Sequence, residues 1–327
     1  MRPALPRLAA ALVLASGLLA APAARAQASD FPQRPVTIVV PFAPGGSMDA
    51  LGRIVSAKLS PAWGRPVVVE NRPGAGGLVG AQRVKSALAD GHTLLLTNSA
   101  LIQTVVPSLN PNPQYDPVKD FVPVAHMTLA PVVYAINPKL PAKTLQEYIA
   151  LVKKEPRKHS FGSGGPNQTL HLLGAVLNQA AGMEMVHVPF KGDSPLVTDI
   201  VAGTISGGFA TIATARPQIA AGTLRALAVA GPRSSLLPDV PSFRELGFTD
   251  LDVVGWFGMF APAGTPRAIV DKVYADILAV LKMPDVESRL KEMSLAPTGL
   301  PPAEFAGIVK RDLGYWDAVV KRVGEKQ

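Results

Sequence analysis

Short β-branched runs alternate with glycine-containing turns and helical patterns, and this alternation constrains the fold more than any other feature of the sequence. Val36–Val40 is an unbroken β-branched run, which is typical of a strand buried on both faces. A glycine turn follows, and the apolar residues of segment 47–59 then recur at helical spacing. Strands are predicted again at residues 67–69 and 94–96, with a second helix between them. Repeated strand–helix–strand units of this kind predict a parallel sheet.

The middle of the chain repeats this order of elements. Val132–Ile136 predicts a strand, and Thr144 is placed to cap the helix after it. Further strands are predicted at residues 185–188, 205–209 and 224–229. Because glycine-rich turns follow the carboxyl ends of strands in both halves, the pattern predicts a ligand in the crevice between them.

The length of 327 residues favours two domains over one. We expect an α/β fold with a mainly parallel sheet in each domain and a hinge between them. Residues 27–125 together with residues 228–327 are predicted to form domain 1, and residues 126–227 to form domain 2. The chain then crosses between the two halves twice.

The first 26 residues have the composition of a cleavable secretory signal peptide. Arg2 and Arg7 precede an apolar run at residues 8–21, and small residues at the following positions allow cleavage before Gln27. A membrane anchor is the alternative interpretation, but an apolar run of 14 residues is short for spanning a bilayer. We therefore expect the protein to be exported.

Composition excludes several classes of function. The chain has no cysteine, which removes disulfides, cysteine-ligated zinc, iron–sulfur clusters and thiol nucleophiles. The formal net charge is +8, and it falls to +5 when the three arginines of the signal segment are removed. The basic cluster at residues 153–158 lies at the end of a predicted helix, where it favours the helix dipole, and no aromatic residues are interleaved with it. We therefore expect no nucleic-acid partner.

Motifs for nucleotide binding and for catalysis are incomplete. The turn at residues 74–79 breaks the G-x-G-x-x-G pattern at its last position, and neither a phosphate-binding loop ending in G-K-[ST] nor a G-x-S-x-G elbow occurs. Residues 288–291 match S-x-x-K but lack the companion motifs of that chemistry. The five histidines show no metal-ligand spacing. We therefore expect no catalytic residue, no metal and no cofactor.

The glycine turns instead indicate anion binding. Helix N-termini present unpaired backbone N–H groups and a partial positive charge, which suit a carboxylate or a phosphate. Glycines at positions 45, 46, 164, 165 and 192 would let a ligand approach that backbone closely. Asp49 and Asp193 are predicted to cap helices near these loops. The alternative, that the glycines only form tight turns, stays open for any single loop.

Seven sequence blocks resemble the Bug family, the substrate-binding proteins of tripartite tricarboxylate transporters. They occur in the family's order and cover nearly all of residues 31–327. The blocks are residues 41–49 (PFAPGGSMD), 70–77 (ENRPGAGG), 90–95 (DGHTLL), 188–192 (VPFKG), 224–229 (LRALAV), 239–243 (DVPSF) and 261–266 (APAGTP).

The resemblance implies a periplasmic two-domain binding protein of Venus-flytrap type that closes on a small carboxylate. In that family, backbone amides and ordered waters of the interdomain loops hold the ligand carboxylates. The site residues that the motifs imply are Ala43, Gly45, Gly46, Ser47 and Asp49 in the first loop, Ser163, Gly164, Gly165, Phe190, Lys191 and Gly192 in the second domain, and Asn98, Ser99 and Thr211 as weaker candidates.

The sequence departs from the family pattern at three positions. Phe190 stands where tyrosine is common, which removes a hydroxyl, and Asn167 replaces a common glycine. Ala210 stands where many members have an acidic residue, so a ligand ammonium group would lack that partner. The last departure favours a plain monocarboxylate or dicarboxylate over an amino acid. Aliphatic and aromatic acids are both compatible with the sequence.

The resemblance implies a monomeric solute receptor that delivers a small organic carboxylate to a membrane permease. The carboxylate would be a dicarboxylate, a tricarboxylate or an aromatic acid. Two alternatives stay open. A sensory receptor would use the same binding but present the ligand to a sensor kinase. An exported α/β enzyme would need a nucleophile–base pair, which the motifs do not supply.

Overall fold

The computed structural model describes residues 31–99, 101, 113–163, 169–190 and 192–324. The predicted signal peptide lies outside the described residues. Within the described ranges, no helix combines the length and the apolar character needed to cross a membrane.

Strands and helices alternate along the chain, as the sequence predicts. In the first part of the chain the elements are β1 (Val36–Val40), α1 (Ser47–Trp63), β2 (Val67–Asn71), α2 (Leu78–Lys85), β3 (Thr93–Asn98) and β4 (Phe121–Ala130). The middle part contains β5 (Val132–Ile136), α3 (Leu145–Lys154), β6 (Ser160–Ser163), α4 (Thr169–Ala180), β7 (Val186–Pro189), α5 (Asp193–Ala202), β8 (Gly207–Thr211), α6 (Ile212–Ala220) and β9 (Arg225–Val229). The last part contains β10 (Gly255–Pro262), α7 (Arg267–Leu281), α8 (Pro284–Glu292), β11 (Ala296–Leu300) and α9 (Pro302–Gly324).

The strands form two sheets, and each sheet defines one half of the molecule. The first sheet has the order β11-β4-β10-β3-β1-β2, and the second has the order β7-β6-β8-β5-β9. The two-half α/β architecture predicted from the sequence is therefore confirmed.

Both sheets are mixed, so the prediction of a mainly parallel sheet in each domain was wrong. β1 is parallel to β2 and β3, and β6 is parallel to β7 and β8. In contrast, β10 is antiparallel to β3 and β4, and β5 is antiparallel to β8 and β9. β5 follows β4, and β10 follows β9, where the chain passes from one half to the other. These two strands therefore do not enter their sheets through a crossover helix from a strand of the same sheet, which is the connection that makes neighbouring strands parallel.

The chain passes from the first sheet to the second at Pro131 and leaves the second sheet after Val229. β4 stays in the first sheet as far as Ala130, and β5 begins in the second sheet at Val132, so the predicted boundary after residue 125 falls inside β4. β9 stays in the second sheet as far as Val229, so the predicted boundary after residue 227 falls inside β9. Each crossing begins where a strand ends, because backbone hydrogen bonds hold the chain in its own sheet up to that residue.

Helix α9 adds a third link between the halves. Near its start, Phe305 packs so closely on β10 that a Cβ at Gly258 would lie 2.2 Å from the Phe305 ring. Near its end, Trp316 belongs to a hydrophobic core that also contains Leu173 and Leu177 of α4. Gln179 Nε2 of α4 donates to the carbonyl oxygen of Arg322 at 3.3 Å. One core therefore runs through both halves along this helix.

Candidate functional site

A cleft of about 560 Å³ lies between the two halves, with walls from both sheets. The first half contributes the loop at residues 42–48, the end of β3 and the start of β10. The second half contributes the first turns of α4, α5 and α6. This is the position, beyond the carboxyl ends of parallel strands, where open α/β folds bind ligands.

Four helix N-termini meet at this cleft. α1 comes from the first half, and α4, α5 and α6 come from the second. The N-cap residues of α1, α5 and α6 make no side-chain capping hydrogen bond. In α6 the Ile212 N–H donates to the Pro131 carbonyl oxygen at 3.0 Å, and in α5 Pro195 has no N–H. The N–H groups of residues 47–49 in α1 and of Asp193 and Ser194 in α5 have no acceptor among the described residues and are left for solvent or for a ligand. The helix dipoles make the cleft attractive to anions.

The loop before α1 leaves its backbone open to the cleft. Gly45 has a φ of +91°, which is a conformation that favours glycine. Gly46 is the N-cap of α1, with a φ of −81° and a ψ of 169°. No atom lies within 4 Å of the position that a Cβ would take at either glycine. A ligand can therefore reach the first-turn N–H groups of α1 without displacing a side chain.

Asp49 holds this loop from the side away from the cleft. Its Oδ2 accepts hydrogen bonds from the Gly45 N–H and from Arg53 Nε, both at 3.0 Å, and its Oδ1 accepts from Asn71 Nδ2 at 3.0 Å. Asn71 Nδ2 also donates to the Phe42 carbonyl oxygen at 3.1 Å. The hydrogen bond from Arg53 is the main reason that the pKa of Asp49 is lowered. Asp49 is thus a buried carboxylate that fixes the loop in place.

The halves touch directly at the cleft. Ser99 Oγ, after β3, lies 3.2 Å from Thr169 Oγ1 at the start of α4. This contact joins the two halves at the cleft and places hydroxyl groups beside the N-terminus of α4.

Asp193 is the one charged residue among the described residues that line the cleft. It begins α5, and its Oδ2 accepts the N–H of Thr211, the N-cap residue of α6, at 3.1 Å. Burial raises the pKa of Asp193, and the hydrogen bonds from Thr211 oppose that rise. Since the described lining contains no cationic side chain, the positive potential there comes from backbone N–H groups.

Comparison with known proteins decides the family. The model of the family described as "Tripartite tricarboxylate transporter family receptor" matches residues 51–324. The chain belongs to this receptor family. Among curated relatives, the UPF0065 protein in the tcbD-tcbE intergenic region of Pseudomonas sp. strain P51 is 37% identical over 299 residues, which cover 90% of this chain and 88% of that protein. BugT of Bordetella pertussis is 33% identical, with coverage of 93% and 94% respectively.

Solved structures show the same fold. A structure described as a periplasmic transporter is 41% identical to this receptor, with a TM-score of 0.80, and the match covers 89% of this chain and 97% of that one. R. palustris Rpa4515 with adipate is 30% identical, with a TM-score of 0.81 and coverage of 90% and 98%. MatC from Rhodopseudomonas palustris with bound malate is 34% identical, with a TM-score of 0.78 and coverage of 89% and 100%. The predicted two-domain binding-protein fold is therefore confirmed, and the related structures include that of the periplasmic binding protein BugD.

The structure places most of the described site residues of this receptor in the cleft. Eight of those predicted from the sequence line it: Ala43, Gly45, Gly46, Ser47, Asn98, Ser99, Gly192 and Thr211. The predicted residues Gly164, Gly165 and Lys191 lie outside the described residues.

Three predicted site residues do not line the cleft. Asp49 is engaged behind the first loop, as described above. Ser163 is buried, and its Oγ lies 2.8 Å from His187 Nε2, within the second half. Phe190 donates its backbone N–H to the Ser163 carbonyl oxygen at 2.9 Å, and its ring packs towards Gly162 and the core beneath α5. The loops predicted from motif position contribute other residues to the cleft, but the side chains of these three residues make their contacts away from it.

The position of Ala210 removes the basis for predicting a plain carboxylate from this residue. Ala210 is fully buried in the core of the second half and does not line the cleft. An acid missing from that position therefore carries no information about the ligand. The acid that does line the cleft is Asp193, which the sequence suggested only as a helix cap.

Sequence reasoning missed several residues of the cleft. The hydroxyl-bearing ones belong to helix first turns, and that position was the available signal. They are Thr169 of α4, Ser194 of α5 and Thr214 of α6. The apolar ones, Trp256 and Phe257, lie at the start of β10, where no motif marked them.

Two other cavities have cationic side chains in their lining, Arg233 and Lys291 in one and Arg157 in the other, but they lie away from the converging helix N-termini. One of about 380 Å³ lies behind the crossings and is lined largely by apolar groups, among them Pro131, Leu236 and Val254. The other, of about 610 Å³, lies in the second half beside His171 and His187. Neither one receives helix N-termini from both halves. No cluster of three potential metal ligands occurs among the described residues.

Proposed function

We propose that this protein is a periplasmic receptor that captures a small organic carboxylate in the cleft between its halves. The observation that carries the proposal is the convergence of helix N-termini from both halves on a cleft whose described lining has no cation. Such a site supplies several backbone donors to one carboxylate and needs no metal or cofactor.

The relatives support this ligand class. Rpa4515 was solved with adipate and MatC with malate. Both compounds are short dicarboxylates, and the apolar surface of Trp256 and Phe257 in the present cleft provides a wall for a short carbon skeleton. Aromatic acids would fit the same combination of apolar wall and backbone donors.

The sequence and the family support export and a membrane partner. The N-terminal segment with Arg2 and Arg7 supports cleavage of a signal peptide, and a related structure is that of the periplasmic binding protein BugD. In this proposal the loaded receptor is monomeric and delivers its ligand to the permease of a tripartite tricarboxylate transporter, without chemistry on the ligand. A sensor kinase as the recipient remains the second candidate, since it would read the same closed receptor.

The proposed binding set combines the eight cleft residues predicted from the sequence with Thr169, Ser194 and Thr214. Gly164, Gly165 and Lys191 are added from motif position alone. We propose that the two halves act as domains that move about Pro131 and residues 230–254, with α9 limiting the range of that motion.

A thermal-shift screen of the mature protein tests the proposal. The panel holds four-carbon and six-carbon dicarboxylates, citrate and aromatic acids, each with its neutral amide as the matched control. An acid at 100 times its Kd adds about 2.7 kcal/mol to the free energy of unfolding, which moves the melting temperature by several degrees, while the amides leave it unchanged. Mass analysis after incubation should recover the acid intact. Failure of every acid to bind, or conversion of the bound acid, would contradict the proposal.

A further inference from the structure

Asp193 has hydrogen-bonding capacity that the described residues do not fill. The Thr211 N–H donates to its Oδ2 at 3.1 Å, and the Thr211 side chain also hydrogen-bonds to the carboxylate. A carboxylate has about four acceptor sites, and no other described residue donates to Asp193, which lines the cleft. Asp49 provides a contrast, because both of its oxygens are bound within the first half. Of these two aspartates, Asp193 is therefore the one that can offer an acceptor site to a ligand.

The Thr211 contacts also orient the Asp193 carboxylate. Because the carboxylate is already fixed on the N-terminus of α6, the side chain loses little further entropy when it accepts a hydrogen bond from a ligand. The cleft therefore favours two different groups at short range. The helix first turns favour an anion, and the Asp193 carboxylate favours a hydrogen-bond donor.

We infer that Asp193 makes the cleft selective for acids that carry a hydroxyl or an ammonium group beside the carboxylate. This inference rests on the proposed function and narrows its ligand class. The carboxylate of such an acid binds the helix first turns, and its neighbouring donor binds Asp193. An unsubstituted acid would displace water from the Asp193 carboxylate without donating a hydrogen bond to it. The binding of an unsubstituted acid is therefore weaker.

A purely structural role for Asp193, as a cap of α6, makes a different prediction. In that case replacement of the side chain would change stability but not the choice among ligands. Asp193→Asn separates the two roles, because the Asn Oδ1 can still accept the Thr211 N–H while the amide nitrogen turns a donor towards the cleft. Asp199→Asn on the same helix is the matched control, since it makes the same change of charge at a residue that does not line the cleft.

Calorimetric titration with three matched series tests the inference. Each series keeps one carbon skeleton and changes one substituent: succinate, malate and aspartate; adipate, 2-hydroxyadipate and 2-aminoadipate; phenylacetate, mandelate and phenylglycine. In the series that fits the cleft, wild-type protein should bind the hydroxy or amino acid about 10-fold to 100-fold more tightly than the unsubstituted acid, as expected for a hydrogen bond to a charged group. The two substituted members distinguish hydroxyl from ammonium.

The preference should fall to less than about 3-fold in Asp193→Asn and stay unchanged in Asp199→Asn. Equal binding of all members by the wild-type protein would overturn the inference while leaving the proposed function intact, and this arm needs no variant to fold. An unchanged preference in Asp193→Asn would also overturn it. Binding of no acid in any series would overturn the proposed function and this inference together.

Discussion

Replacing Gly46 with valine should separate ligand binding from folding. The backbone at Gly46 is extended, with a φ of −81°, and no atom lies within 4 Å of the new Cβ. Valine therefore fits without strain, and the main cost is the poorer N-cap preference, on the order of 1 kcal/mol. We expect the melting temperature to fall by a few degrees at most.

The effect on the ligand should be larger, because the valine side chain would occupy the approach to the first-turn N–H groups of α1. A hydrogen bond from a backbone donor to a carboxylate contributes about 1.5–3 kcal/mol, so the loss of one such bond weakens binding about 10-fold to 150-fold. Loss of two would exceed that range.

The assay is calorimetry with the acid that gives the largest thermal shift, on wild type, Gly46→Val and Gly307→Val. Gly307 is a matched control, because it also has open space around the new Cβ and does not line the cleft. An unchanged Kd in Gly46→Val would remove the first loop from the site. A weakened Kd in Gly307→Val would show that the assay reports general damage to the protein.

Three further results are expected. Asp49→Ala should lower the free energy of unfolding, measured in urea, by about 1–3 kcal/mol, because it leaves the Gly45 N–H without its acceptor, and it should also weaken ligand binding. The control Asp239→Ala, at an exposed residue, should behave as wild type. Equal stability of the two variants would refute the role of Asp49 in fixing the first loop. The stacked rings of His171 and His187, with centroids 3.9 Å apart, predict loss of stability in acid: burial and the neighbouring His171 lower the pKa of His187 to about 4. As the pH falls from about 6.5 towards 4, the unfolded chain takes up a proton at His187 before the folded protein does, so the free energy of unfolding falls over this range. In denaturant titrations His187→Gln should make the free energy of unfolding less dependent on pH between these values. An unchanged pH dependence would exclude His187 as the cause. Finally, small-angle scattering should give a smaller radius of gyration at saturating ligand than without it, and an unchanged radius with binding verified by calorimetry would mean that the halves do not close.

Most of the fold follows from local patterns in the sequence. The β-branched run of β1 and the amphipathic helix α1 both lie where periodicity predicts them, and Thr144 forms a capping box with Glu147. The elements that escaped prediction violate local rules. β4 contains Pro123, β11 contains Pro297, and α6 contains Pro217. Pairing and packing with distant segments override the unfavourable local preference of these residues.

The sequence predicted which loops line the cleft, but it did not predict which side chains of those loops point into it. Glycine turns after strands identified both walls of the cleft, since parallel strands place their carboxyl ends at one edge. The directions of Ser163 and Phe190 depend on contacts with His187 and with the core beneath α5, which no local pattern encodes. The role of Asp193 likewise required the position of α6, a helix that the sequence did not predict.

A crystal structure of the mature protein with its tightest-binding acid tests the central claim most directly. The account predicts the ligand carboxylate between the halves, with its oxygens about 3 Å from first-turn N–H groups of α1 and of at least one helix of the second half. Density for the acid in the cavity beside His171, in the cavity behind Pro131, or in contact with only one half would contradict the account.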